Sequence, residues 1–274
     1  MFIIGSGRSG TRSMFKMLQG TLNVEVHHEF LCTQVQQLAA LYSMSLINKT
    51  EAIEGLRSLH YSAIYWSEAR IWVDSSNKLT WLIKPIMDIL PNAKFINLVR
   101  DGRKVASSFV RKLGDEIYDD ESVAVMIEWL ADRTQTPMPP PEKKYWWNVP
   151  LGSMPMASEF QSFSQFQRVI YHWVEANRVA RTDLGKYVPA SQQMTLKLED
   201  LVASQEILAE VCSFIGVEYE YSYWAALQRP ENVVYPMDFL LTKSQTEQFT
   251  DLAAETMSFL GYDINSREYS VDYK

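Results

Sequence analysis

Residues 1–12 read MFIIGSGRSGTR. Phe2, Ile3 and Ile4 run straight into a glycine-spaced loop, and Met14, Phe15 and Leu18 follow at helical spacing. The stretch therefore reads as a buried strand, a tight turn and a helix N-terminus. Gly5, Gly7 and Gly10 lack a Cβ, so the loop can take positive φ and bring backbone N–H groups close to an anion, where the unpaired donors of the helix start add attraction. A phosphate or similar anion fits here, with Gly7, Arg8, Ser9, Gly10, Thr11, Arg12 and Ser13 as candidate contacts.

Several chemistries use such a loop. A Walker A loop requires Lys and then Ser or Thr after its last glycine, whereas Thr11 and Arg12 follow Gly10, which argues against an ATPase. The glycines do satisfy G-x-G-x-x-G, and Glu25 and Glu29 lie near the spacing at which a dinucleotide fold sets an acid on a ribose. A nucleotide kinase, an NAD-binding oxidoreductase and a non-catalytic nucleotide-binding module all stay open on this stretch alone.

Outward from the loop, Asn23–Val26 reads as a short strand ending in His27, His28 and Glu29. If it runs parallel to the first, its end falls on the loop's edge of the sheet, where open α/β folds bind ligands. A general base needs a carboxylate or imidazole within reach of an acceptor hydroxyl, and Glu29, then His28 and His27, are the first candidates. Residues 31–66 read as helical, with His60 as a helix-surface or core-edge residue. Arg70–Val73 is a strand followed by the polar run Asp74-Ser75-Ser76-Asn77-Lys78; Asp74 is the second candidate base, or a helix N-cap.

Trp81–Leu90 holds a short helix with Pro85 in its first turn, and Lys94–Val99 reads as a strand buried on both faces. Arg100 and Asp101 end that strand. The helix behind it has the apolar stripe Val105, Ala106, Phe109, Val110 and Leu113, which leaves Ser107 and Ser108 off the core face. A second anion site with Arg100 as fork and a serine as donor is chemically sensible; an Arg100–Asp101 surface pair is the alternative. Gly114 to about Gln167 is irregular, with a proline run and then Lys143-Lys144-Tyr145-Trp146-Trp147, and reads as an inserted lid over an acceptor. Its tryptophans suit either stacking on a ring or plugging the core. Phe166–Arg181 is a helix carrying a structural His172, Met194–Leu198 a strand, and Ser244 with Glu247 a capping box before the last helix.

These residues carry a family resemblance. Sulfotransferases that use 3′-phosphoadenosine 5′-phosphosulfate (PAPS) pair a basic residue and Ser-Gly-Thr, here Arg8 to Thr11, with a strand ending in Arg and a Ser eight positions later, here Arg100 and Ser108. PNAKFINLVRDGRKVASSF and LKLEDLVASQEILAEVCSFIGV are similar to the corresponding family blocks. The resemblance implies a single domain over 1–274 with 114–167 as the acceptor-side lid, and an α/β, P-loop-like three-layer fold whose central, mainly parallel sheet is flanked by helices. It implies in-line transfer of a sulfuryl group from PAPS to a hydroxyl of a small-molecule or carbohydrate acceptor, leaving 3′,5′-ADP and needing no metal. Arg8 would neutralise the transferring group, the loop would hold the 5′-phosphate, Arg100 and Ser108 the 3′-phosphate, and Glu29 would be the base. Two departures stand out. Relatives carry Ser or Thr where Arg12 stands, so Ser13 is a possible substitute, and they carry a lysine where Ser75 stands, so Lys78 is the candidate for that charge. The loop Arg229–Lys243 sits where the family closes over its nucleotide, making Lys243 a further candidate.

Composition agrees. The chain has 274 residues, 47% hydrophobic, with a net charge of −7, so it offers no electrostatic footprint for nucleic acid. Cys32 and Cys212 form no pairing pattern, which argues against a disulfide scaffold or zinc site. No apolar run approaches membrane-spanning length and the N-terminus reads as a core strand, so the expectation is a cytoplasmic protein.

Overall fold

The computed structural model describes residues 1–229, 240–266 and 269. It contains a five-stranded parallel sheet in the order β2-β3-β1-β4-β5, with β1 Phe2–Gly5, β2 Val24–His28, β3 Ile71–Ser75, β4 Phe95–Val99 and β5 Gln193–Lys197. The helices that connect and flank these strands are α1 Thr11–Leu18, α2 Cys32–Ser43, α3 Lys49–Leu56, α4 Ser62–Tyr65, α5 Ile83–Ile89, α6 Gly102–Leu113, α7 Asp120–Ala131, α8 Gln165–Tyr187, α9 Leu198–Ala203, α10 Gln205–Ile215, α11 Tyr221–Leu227 and α12 Lys243–Phe259. The expected α/β architecture is present, and strand ends fall within about a residue or two of their expected positions.

Alternation along the strands divides the core. Ile3, Val73, Ile96 and Leu98 point to one face and pack with Met14, Met17 and Leu18 of α1 and with Leu208, Val211 and Ile215 of α10. Phe2, Ile4, Trp72 and Phe95 point to the other, against Val35 and Ala39 of α2, Ile83 and Ile86 of α5 and Ala176 and Ala180 of α8. Period-two side chains between helices give three layers. The strand order also removes one alternative: in a dinucleotide fold the strand after the glycine loop pairs with the first, whereas here β3 lies between β1 and β2. Glu25, the would-be ribose acid, instead pairs with His27 and accepts from Ser67.

Several local expectations change. The 31–66 helical region is broken into α2, α3, a π-helical turn Arg57–Tyr61 and α4. The last helix starts two residues earlier than expected: Thr242 and Gln245 form its capping box, while Glu247 pairs with Lys243 along the surface. Residues 230–239 of the loop expected to close over a nucleotide lie outside the described residues, and Lys243 is exposed. Ser107 is buried, its hydroxyl donating to the Lys104 carbonyl. No helix among the described residues is long and apolar enough to cross a membrane, and no group of three or more metal-ligating His, Cys, Asp or Glu occurs among them.

Within 114–167, α7 is capped by Asp119, which accepts from Ser122 N–H. Its Trp129 meets Trp146 edge to face at 5.8 Å. Trp146 is 1% exposed and donates its indole N–H to the Pro140 carbonyl. It is therefore a core plug rather than a stacking platform, because no face of the ring is left for a ligand. Trp147 donates to the Glu116 carbonyl and packs on Tyr118 and His172. Trp146→Ala should lower the unfolding free energy by about 3–5 kcal/mol, the range for truncating a buried aromatic, read from urea midpoints.

Candidate active site

All strands being parallel, the ends of β1, β2, β3 and β4 open on one edge, and the sequence motifs converge there. The loop after β1 is fixed from below. Thr80 Oγ1 accepts from Gly5 N–H and donates to Gly5 O, and His172 Nε2 lies 2.9 Å from Ser6 O. A carbonyl only accepts, so that nitrogen carries the proton, and burial lowers His172 to about 4: the ring is a neutral brace, in keeping with its structural assignment. Gly7, at φ 81°, faces Asn77 and Phe109, each 2.9 Å from where a Cβ would stand. Ser9 Oγ is buried beneath the loop without a partner among the described residues, so Ser9 can offer a ligand only its backbone. At Gly10, φ 103°, α1 begins with no side-chain cap and no acid in its first turn. Its first N–H groups have no intrahelical partner, and Thr11, Arg12 and Ser13 occupy that first turn.

The second anchor closes on the first. Arg8, at φ 56°, donates from Nε to Ser108 Oγ at 2.8 Å, while Arg100 donates from Nη1 to the Arg8 carbonyl at 2.9 Å. Arg100 Nε is buried with no hydrogen-bond partner among the described residues. Asp101 does not take Arg100: its carboxylate caps α6 through Arg103 N–H and grips the Arg103 guanidinium. The surface-pair alternative is thereby excluded. Burial and the neighbouring Arg100 lower Arg8 to about 10, which leaves it protonated at neutral pH but at an electrostatic cost that an anion would relieve.

At the β2 side of the same edge, Glu29 N–H donates to Ser75 O, and His28 Nδ1 lies 2.9 Å from the same carbonyl. The carbonyl again fixes the proton on Nδ1, so Nε2 of the neutral ring is the acceptor. Burial lowers the His28 value. Glu29 itself is left-handed, φ 56°, a conformation costing a non-glycine residue about 1–2 kcal/mol. Its Oε1 lies 2.5 Å from Lys78 Nζ and its Oε2 3.4 Å from Lys143 Nζ. Burial pushes the carboxyl up, but Lys78 and Lys143 more than offset it and hold it at about 2. Lys78 is buried and also donates to Asn77 Oδ1.

Asp74 is not at this site. It is 0% exposed, accepts from Phe30 N–H and pairs with the buried His60, so its carboxylate is committed within the core and not open to a ligand. Ser75, Ser76 and Asn77 of the polar run at the end of β3 are buried too. Lys78 was recognised only as a possible stand-in charge. Lys143 was not recognised as a site residue, since nothing in its proline-rich context ties it to Glu29. It is placed by Gln36, whose buried amide donates to the carbonyls of Lys143 and Trp146.

The comparisons with known proteins bear on this geometry. Residues 1–136 match the model of the sulfotransferase family. No curated protein matches significantly. Among solved structures, the sulfotransferase domain from the curacin biosynthetic pathway is 16% identical with a TM-score of 0.52, over 96% of this chain and 97% of that one. The sulfotransferase domain of the Synechococcus PCC 7002 olefin synthase is 18% identical, TM-score 0.48, over 96% and 94%. The first of these shares the fold, and the family resemblance read from the sequence is supported by the match over the N-terminal half.

The Glu29 ion pairs predict an acid sensitivity. Its folded value, about 2, lies below the ordinary 4.5. The pairs thus add stability that is complete above about pH 4.5 and is lost as pH falls toward about 2. Urea midpoints measured from about pH 6 down to about pH 3 should fall less steeply in Glu29→Gln than in the wild type.

Proposed function

We propose that this chain, whose first 136 residues match the sulfotransferase family, transfers a sulfuryl group from PAPS to a hydroxyl acceptor. The observation that carries the proposal is the meeting of two anion anchors, the uncapped start of α1 and the Arg100–Ser108 pair, joined by Arg8. A nucleotide with phosphates at both 5′ and 3′ positions needs both, whereas a dinucleotide or triphosphate gives no reason for the second. The residues suit that donor: the Arg100 Nε lacks a partner among the described residues, and Ser108, whose oxygen accepts from Arg8, keeps its O–H to donate.

In this reading the backbone of Gly7 to Ser13 and the Thr11 hydroxyl hold the 5′-phosphate, and Arg100 and Ser108 hold the 3′-phosphate. PAPS supplies the activated sulfuryl group. Arg8 and Lys78 stabilise charge as the bond to the 5′-phosphate breaks, a role for which fixed cations in a partly dry site are effective. Glu29 receives the acceptor's proton as its oxygen bonds to sulfur. Pinned by two lysines, Glu29 is ionised at any working pH but weakly basic, so turning Lys78 from Glu29 toward an anionic ligand raises its basicity as that ligand arrives. His28 Nε2 is the second candidate base. Residues 114–167 form the acceptor-side lid within a single domain, and the acceptor is a small-molecule or carbohydrate hydroxyl.

Glu29→Gln should reduce sulfuryl transfer by about 10²–10⁴ while 3′,5′-ADP binds as in the wild type; undiminished transfer moves the base to His28. Arg100→Ala should bind 3′,5′-ADP no better than 5′-AMP by calorimetry. If Arg100→Ala keeps the wild-type preference, the assignment of the 3′-phosphate is wrong.

A further inference from the structure

The buried pair beneath Glu29 takes no part in the chemistry above, yet it is attached to the turn that carries the base. Asp74 Oδ1 accepts from Phe30 N–H at 3.2 Å, and Asp74 Oδ2 lies 3.1 Å from His60 Nε2. The neighbouring Glu29 N–H goes to Ser75 O, so two successive N–H groups of the turn are tied to the end of β3. Glu29 and Leu31 flank Phe30 with φ of 56° and 46°, a left-handed pairing that side chains disfavour and that persists only where surroundings impose it.

His60 is correspondingly constrained. It sits in the π-helical turn Arg57–Tyr61, an irregularity frequent at functional sites. Its ring lies among Phe2, Phe30 and Trp72, with centroids 6.4, 5.4 and 5.9 Å away. It is 1% exposed, and its Nδ1 has no partner among the described residues, so Asp74 is its one polar tie there. A buried pair of this kind is a poor source of stability compared with well-packed apolar side chains, and fixing one conformation is its better-attested use.

We propose that Asp74 and His60 are positioning residues for the candidate base: Asp74 holds the Phe30 N–H, His60 holds Asp74, and Glu29 thereby keeps the backbone conformation that sets its carboxylate between Lys78 and Lys143. The functional meaning rests on Glu29 being the base of the proposed transfer, but the geometric claim is measurable without any acceptor. The charged and titratable groups facing Glu29 are Lys78, Lys143 and His28.

The test is a ¹³C NMR titration of the Glu29 carboxyl in protein labelled at glutamate Cδ, the signal being assigned by its loss in Glu29→Gln. In the wild type no titration of Glu29 is expected above about pH 3.5, given a value of about 2. In Asp74→Ala, which removes the acceptor of the Phe30 N–H, the midpoint should rise to 4.5 or above, because a Glu29 displaced from the lysines keeps its burial and loses its partners. The sign separates positioning from simple electrostatics, since deleting the Asp74 charge alone would lower the Glu29 midpoint. An unchanged or lowered midpoint overturns the proposal.

If Asp74→Ala does not fold, His60→Leu should raise the Glu29 midpoint and His60→Gln, which restores an N–H donor to Asp74, should bring it back down. Identical midpoints in those two variants overturn the proposal as well. Thermal stabilisation by 3′,5′-ADP is recorded on the same samples. Its absence in the wild type counts against the sulfotransferase reading and leaves the positioning result standing.

Discussion

Two guanidinium groups, Arg8 and Arg100, are brought close together, Arg100 donating to the Arg8 carbonyl and Arg8 to Ser108. Like charges brought together in a partly buried site repel strongly, and the lowered Arg8 value records that cost together with burial. The rest of the fold makes the arrangement possible. Gly5 is fixed by Thr80, the Ser6 carbonyl by His172, and Arg8 by Ser108. Asp101, the nearest carboxylate in sequence, is committed to Arg103 and the start of α6. This framework keeps positive charge concentrated beside the glycine loop while the neighbouring Asp101 is engaged elsewhere.

The opposite side of the same edge is charge-balanced in a different way. Glu29 is gripped by Lys78 from the buried turn after β3 and by Lys143 from the long connection between α6 and α8. Gln36 of α2 fixes that connection where Lys143 emerges, so α2, the post-β3 turn and the 114–167 segment meet at a single carboxylate. Beside two ammonium groups the Glu29 carboxylate is weakly basic, and it would become more basic if either lysine turned away. Tyr118 donates to the Asn148 carbonyl and lies 3.4 Å from His172, so the brace beneath the loop also touches this segment.

What could be read from the sequence follows the range of the interactions involved. The strand, glycine loop and helix at residues 2–18, and the strand and helix around Arg100, rest on local periodicity and turn chemistry, so they were legible almost residue by residue. The placement of β3 between β1 and β2 was not, since spacing along a chain does not say which strand lies beside which. Asp74 shows the same limit: the end of a parallel strand lies on the ligand edge, which makes the residue a candidate base, and only the packing of α2 and the His60 turn over that end reveals it as buried. Lys143 lies 114 residues from Glu29 and was invisible as a partner. Trp146 illustrates the same limit, because whether an aromatic ring plugs a core or faces a ligand depends on what closes over it.

The central claim is that one ligand engages both anion anchors together, and a thermal-shift titration of the wild type with 3′,5′-ADP, 5′-AMP, ATP and NADH tests it most directly. A ligand at about 100 times its Kd adds about 2.7 kcal/mol of stability, enough to raise the midpoint by several degrees. The account predicts a rise with 3′,5′-ADP well beyond that with 5′-AMP and the other nucleotides. Equal stabilisation by 3′,5′-ADP and 5′-AMP, or stabilisation by ATP or NADH alone, would contradict it and leave Arg100 and Ser108 as structural residues.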